Sequence, residues 1–421
     1  MTTYHGGPLR LGWDQHERQL TTTNVADEFG LLQTLTVDGN VLAQPLYLEH
    51  FAPLGGRNVV IVATEHASIY EFDADTGAQI NMVNFGPSQS SRDVGCLDIR
   101  PEYGITGTPA IDLSTQTMYV VVASEPSKNV FKTRLHALDI ATLADKITPV
   151  DITASETISN GTQLKFDPQD QMSRSSLVLA NGSIYVPIGS HCDANASAIS
   201  GWLLRYDSGL HQIGAFATIE DSTNYLLSSI WMTGFAPAVD ADGSLFAVTG
   251  NGAFDANMGG KNYGESVLRL SPDLTTDIDY FTPSNWSSLN GGDTDFGSGG
   301  IMLLPTQQGS VPHVAVAQGK FSTLYLLNRD DLGHVHTGDT GALQHISGTG
   351  GGVWGGPAYY GGPTGQFVYY QAGGAPLSAY AVVNNSQGVP QLQLSSTGPS
   401  YAGYGGSLPV VSSSLQKPGT G

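Results

Sequence analysis

NVVIVATEHASIYEFDADTG, residues 58–77, is the stretch from which the fold is read. The run VVIVA (59–63) is apolar at successive positions, so a strand here is covered on both faces rather than on one. A short polar turn, TEHA (64–67), separates it from a second run, SIYEF (68–72). DADTG (73–77) then closes the hairpin: the Asp side chains accept hydrogen bonds from the turn backbone and Gly77 supplies a positive φ. A single hairpin covered on both sides cannot stand alone in water, so the rest of the chain must supply its neighbours.

The rest of the chain does repeat the phrase. The full first copy is 44–77; others lie at 107–142, 174–209, 235–273, 299–331 and 355–384, and a seventh begins at 405–414. Counted from the residue that pivots each first strand (Pro45, Pro109, Leu177, Pro237, Leu304, Pro357, Pro409), the copies recur every roughly 50 to 70 residues, a period suited to one four-stranded unit. TMYVVVAS, SLFAVTG and HVAVAQG repeat the continuous apolar run of the inner strands, whereas INMVNF, ITPVDITA, HQIGAFATI and PQLQLSS mix polar and apolar residues and read as outermost strands. Units of this size hold too little core to fold separately. The fold class is therefore all-β, a β-propeller of four-stranded antiparallel blades.

ATEHASIYEFDADTG resembles the pyrroloquinoline-quinone (PQQ) type propeller repeat, with Asp73, Asp75, Thr76 and Gly77 on its D-x-x-T-G turn; ALDIATL (137–143) and RYDSG (205–209) are looser versions. PEYGITGTPAID, GNGAFD, YFTPSNW and GSGGIMLLP further resemble bacterial proteins known only by that repeat. The resemblance runs from about Leu31 onward and implies one propeller over 1–421: an extension at 1–30, a ring-closing strand at 31–39, six blades over 40–404 and the start of another at 405–421. Because the last copy breaks off at QKPGTG (416–421), the reading expects a longer natural protein of eight blades, with a seven-bladed ring as the alternative.

Composition fits this architecture. There are 53 glycines and 22 prolines, and charged residues make up only 13 %, which suits short strands and tight turns over surface helices. A net charge of −20, from 17 Lys+Arg against 37 Asp+Glu, repels phosphate backbones, so nucleic acid is excluded as a partner. No apolar run is long enough to span a membrane as a helix, and MTTYHGGPLRLGW lacks the h-region of a signal peptide. Cys96 and Cys192 sit in polar loops and are either one disulfide between blades or two free thiols; a disulfide favours an oxidising compartment.

In a propeller the loops after inner strands surround the axis. That places Glu65, His66, Glu125, His191, Asp193, Asn251, Asp255, Lys320 and Gln371 around one mouth, with Glu102, Arg174, Trp231 and Trp354 just before first strands. Carboxylates and His suit acid–base work on a hydroxylated substrate, Lys and Arg suit anionic oxygens, and Trp stacks on a sugar or quinone ring. Glu65, His66, His191 and Asp193 are the candidate catalytic residues, and Lys320, Arg174, Trp231, Trp354 and Asn251 the candidate ligand-binding ones. No residue is assigned as a dedicated metal ligand by spacing. DADTG and DADG (240–243) lack the downstream Glu of a calcium loop and read as turns, and His334 with His336 lacks a third ligand. The glycine-rich GNGAFDANMGG and GTGGGVWGG lack the strand-to-helix context of a phosphate loop.

The resemblance implies two functions. PQQ-dependent alcohol and sugar dehydrogenases hold the quinone with Ca²⁺ in the mouth of such a propeller; other proteins with the repeat bind no cofactor and act as scaffolds for protein or polysaccharide. The first reading makes the chain an extracytoplasmic (periplasmic or secreted) oxidoreductase acting on a small hydroxylated or carbohydrate ligand, with Glu65, His66, His191, Asp193 and Asn251 serving metal or base. The dehydrogenases carry an adjacent Cys-Cys pair, which this chain lacks, and that favours the scaffold reading, with a protein partner at the blade edges. A carbohydrate-cleaving enzyme is a third reading, with Glu65 and Glu102 as its acidic pair.

Overall fold

A computed structural model describes residues 1–221 and 225–414. Six antiparallel sheets of four or five strands follow one another along the described chain. The first contains Leu46–Phe51, Arg57–Ala63, Ser68–Asp73 and Gln79–Asn84 in that order, and the second Ala110–Asp112, Thr117–Ser127, Val130–Asp139 and Asp145–Asp151. In the third, Val178–Ala180 and Gln171–Met172 both pair with Ser183–Ser190, followed by Trp202–Tyr206 and Gln212–Ala217. The fourth runs from Ala238–Val239 through Leu245–Val248 and Val267–Leu270 to Asp277–Phe281. The fifth and sixth begin at Ile301–Leu303 and Ala358–Gly362 and end at Gln344–Ser347 and Pro390–Tyr401. These are the repeats expected from the sequence, and the four polar-apolar segments fall in outermost strands.

Burial on both faces is explicit in the second sheet. Along Thr117–Ser127, Met118, Val120 and Val122 enter a core shared with Val59, Ile61 and Ile69 of the first sheet, while Tyr119 and Val121 enter one shared with Ile184, Val186 and Ile188 of the third. Tyr185 and Leu203 of the third sheet pack with the fourth and fifth, and Met302, Val314 and Val316 of the fifth pack with Tyr359 and Val368 of the sixth. Each such fully buried aliphatic contributes about 1.5–3 kcal/mol. The sheets are therefore stacked face to face in chain order, as propeller blades are.

The first residues of the chain tie the inner strands together. The carbonyls of Met1, Thr2, Pro8, Leu9 and Leu11 accept hydrogen bonds from the backbone N–H of Tyr47, Ile111, Val239, Leu303 and Tyr359, one in each of the first, second, fourth, fifth and sixth sheets. Trp13–Asp14 then pairs in parallel with Val411–Ser412. Arg10 is wholly buried in this strap; its Nε donates to Pro237 O (3.0 Å) and its Nη1 to Thr3 Oγ1 and Tyr4 O. Burial pulls its guanidinium down to about 9.

The strand expected at 31–39 to close the ring is absent. Leu31 and Leu32 are exposed, and Leu35 and Val37 pack on Val62, Tyr70 and Phe72, covering the face of the first sheet turned away from the second. Apolar residues in a segment with no ladder partner serve here as a cover. The seventh copy is described only to Ser414; 415–421 lie outside the described residues.

Candidate functional site

A cavity of about 660 Å³ opens among the loops of the third, fourth and fifth sheets. Asp193 follows the second strand of the third sheet, Asn251 that of the fourth and Lys320 that of the fifth, while Arg174 and Trp231 precede the first-strand regions of the third and fourth sheets. Asp293 and Asp295 come from the loop after the helix Trp286–Gly291. Gly250 permits this convergence: a Cβ there would lie 2.4 Å from Asp295 Oδ1 and 2.7 Å from Trp231 Nε1. Cys192 and Asp193 both adopt left-handed backbone (φ 50° and 51°), a costly pair of conformations for non-glycine residues.

The side chains form one polar network. Lys320 Nζ donates to Asp295 Oδ2 (2.5 Å) and Asp293 Oδ1 (3.1 Å). Asn251 donates from its backbone to Asp295 Oδ1 (2.9 Å) and from Nδ2 to Asp293 Oδ1 (2.9 Å) and Asp193 Oδ2 (3.4 Å). Ser190 Oγ donates to Asp193 Oδ1. Carboxylate oxygens of Asp193, Asp293 and Asp295 lie within 4.8 Å of one another. Burial raises the Asp193 carboxyl above its ordinary value; burial also pulls the Lys320 ammonium down, but Asp295 and Asp293 outweigh it and hold it above the usual lysine range. The Arg174 guanidinium lies 4.9 Å, and Lys320 Nζ 5.3 Å, from the Trp231 ring centre.

Cys96 and Cys192 are joined in a disulfide, and Cys192 lines the cavity together with Asp98. Of the two states the sequence left open, the bridge is the one formed.

The cavity thus gathers Asp193, Asn251, Arg174, Trp231 and Lys320 of the expected residues and leaves the others outside its lining. Glu65 is buried below the loops, where Oε2 accepts Gly104 N–H (2.8 Å) and Thr106 Oγ1–H (3.0 Å), and burial pushes its carboxyl up to about 7. His66 is exposed and paired with Glu102 Oε1 (2.9 Å), which raises its imidazole. His191 is buried edge-on to Tyr103, with neither ring nitrogen hydrogen-bonded among the described residues, and burial drives it down to about 3. Trp354 packs on Tyr404. Glu125, Asp255 and Gln371 satisfy loop backbone and neighbouring side chains. In the DADTG turn Asp73 Oδ1 accepts the N–H of Asp75 and Thr76, and His334 pairs with Asp279 while stacking on Tyr280. Asp98, Tyr225, Asn290, Asp293 and Asp295 were not singled out; the D-x-D between glycines in GGDTDFG (291–297) was the available signal.

No protein-family model and no curated protein matches the sequence. Solved structures do match in fold. The quinohemoprotein alcohol dehydrogenase of Comamonas testosteroni aligns over 90 % of this chain and 58 % of its own at 14 % identity, with a TM-score of 0.59. A quinohemoprotein alcohol dehydrogenase of Pseudomonas putida HK5 aligns over 94 % and 61 % at 15 % identity (TM-score 0.58). A europium-containing methanol dehydrogenase aligns over 92 % and 72 % at 13 % identity (TM-score 0.56). The chain is a β-propeller similar in fold to these dehydrogenases, and it spans about three fifths of the length of the first two. Among the described residues, no helix is long and apolar enough to cross a membrane.

Proposed function

We propose that this cavity binds a planar quinone of the PQQ type together with a multivalent cation, making the chain the propeller of a quinoprotein-like alcohol or sugar oxidoreductase. The observation that carries the reading is the three-aspartate cluster set beside an indole face with two cations on it. The residues fit the group. Asp293 and Asp295 offer oxygens, and the buried Asn251 Oδ1 has no hydrogen-bond partner among the described residues, as a ligand oxygen awaiting a cation would not. When bound, the quinone supplies a two-electron acceptor and the cation a Lewis acid.

Trp231 gives the quinone an aromatic surface, and Arg174 and Lys320 give its oxygens and carboxylates cationic partners. Asp193 is the base: burial strengthens it, and Oδ2, held only by the 3.4 Å bond from Asn251, takes the proton of a substrate hydroxyl. Absence of an adjacent Cys-Cys pair weighs less than it did on sequence, because Cys96 and Cys192 bring a disulfide to the same cavity from distant positions. That disulfide also supports an extracytoplasmic location. Neither Glu65 nor Glu102, the acidic pair of the glycan-cleaving reading, lines the cavity.

Titration with PQQ and Ca²⁺ tests this, read by quenching of tryptophan fluorescence and by thermal stability. Saturable binding that Trp231→Ala and Asp295→Asn each weaken by about tenfold or more is expected. No binding at high micromolar PQQ overturns the proposal and leaves the scaffold reading.

A further inference from the structure

Beneath the aspartates lies a fourth acid that takes no part in the cavity lining. Glu265 is fully buried, and its Oε2 accepts the N–H of Phe296, the residue after Asp295, at 2.6 Å. Its Oε1 is buried with no hydrogen-bond partner among the described residues, and no Lys, Arg or His pairs with it there. The ionisable groups that act on it include Asp295, Asp193, Tyr225 and Lys320, of which only Lys320 is a base.

The backbone at Glu265 is left-handed (φ 53°), but this bend belongs to the blade and not to the glutamate. In the first sheet Ala67 has φ 55° at the matching place, one residue before Ser68; there Thr64 N–H donates to Ser68 O as Thr249 N–H donates to Ser266 O in the fourth sheet. The repeat is satisfied by an alanine. A buried carboxyl in its place is an addition, and a fully charged one without a cation against it carries a large desolvation cost.

We propose that Glu265 is a positioning residue that works as a neutral carboxylic acid, holding the Asp295–Phe296 peptide from below so that Asp295 faces the cation site. The inference rests on the cation reading given above. The clustered Asp193, Asp293 and Asp295 then present their negative charge to an incoming ion, and Glu265 sets where one of them stands. Its raised affinity for a proton, caused first by burial and then by Asp295, agrees with this role.

The test compares Glu265→Gln with Glu265→Ala. Tb³⁺ is titrated against each folded protein and followed by its luminescence, and the infrared spectrum of the wild type minus E265Q is recorded at neutral pH without metal. E265Q is expected to keep Tb³⁺ affinity within about threefold, E265A to lose about tenfold or more, and the difference spectrum to show the carbonyl band of a protonated carboxyl. E265Q as weak as E265A, E265A as strong as the wild type, or no such band each overturns the assignment. Absence of Tb³⁺ binding in the wild type overturns the cation reading instead, and the infrared band together with amide exchange at Phe296, protected in E265Q and unprotected in E265A, still decides the role of Glu265.

Discussion

Lys320 Nζ stands 2.5 Å from Asp295 Oδ2 while Asn251 N–H holds Oδ1 of the same carboxylate, so one aspartate is fixed at both oxygens by residues from two different sheets. Lys320 also reaches Asp293, and its side chain is only 17 % exposed, against 3 % for Asp295. Removing the ammonium leaves a buried carboxylate without its charge partner, a change that costs about 3 kcal/mol or more. Lys320→Met is expected to lower the melting temperature, and millimolar Ca²⁺ to restore more of it in the variant than in the wild type, because a cation can then occupy the vacated charge. Calorimetric melting with and without CaCl₂ checks this; a variant that melts like the wild type contradicts the network.

The strap from Met1 to Asp14 makes a second prediction. Arg10 gives its hydrogen bonds to two carbonyls and a hydroxyl and has no carboxylate partner among the described residues. Arg10→Ala leaves Pro237 O and Tyr4 O buried and unpaired, at a cost of about 1–3 kcal/mol for each. Exchange of the Val239, Leu303 and Tyr359 amides, which bond the strap, is expected to speed up before exchange in the middle strands. Uniform exchange across the molecule contradicts a strap that opens locally.

The propeller was legible because a strand buried on both faces writes itself as a continuous apolar run, and VVIVA, YVVVA and LFAV do so at a regular interval. The strap was not legible, since MTTYHGGPLRLGW bonds through backbone carbonyls that any sequence offers. Residues 31–39 misled for a related reason: alternating apolar residues fit a strand, but they equally fit a cover on Tyr70 and Phe72. Within the site, Asp193, Asn251 and Lys320 could be placed because each follows an inner strand directly. Asp293 and Asp295 arrive on an irregular loop after a short helix, where no period indicates direction. Glu65 and His191 satisfied the positional rule, yet point into packed protein; sequence position gives the strand end and not the side-chain direction.

The disulfide makes a third prediction. It links residues 96 apart, and closing a loop of that length removes about 4.7 kcal/mol of freedom from the unfolded chain. Cys192 also precedes Asp193, whose left-handed backbone aims it at the cavity. Reduction by dithiothreitol, or the pair Cys96→Ala with Cys192→Ala, is expected to lower the melting temperature and to weaken Ca²⁺ or PQQ binding in parallel. A reduced protein that keeps its affinity while losing stability shows that the bridge braces the fold without shaping the site.

The last prediction concerns pH. Glu71 is buried near Asp139, and its Oε2 accepts only Asn81 Nδ2–H (2.7 Å). Burial pushes its carboxyl up to about 7, as it does for Glu65. A group whose folded pKa lies above the unfolded value binds more protons in the native state over that interval. Stability from Glu71 is therefore intact below about pH 4.5, falls as the pH rises towards 7, and is flat above it. Glu71→Gln keeps an oxygen for Asn81 without the charge, so it is expected to match the wild type at pH 4 and exceed it by about 3 kcal/mol at pH 8. Urea unfolding of both proteins across pH 4 to 8 measures the difference directly, and carboxylates such as Asp273, which hydrogen bonds hold low at about 2, cancel from it. A constant difference between the two proteins at every pH assigns Glu71 to packing alone; a difference that grows through pH 5 to 7 shows that its proton is bound as part of the native fold.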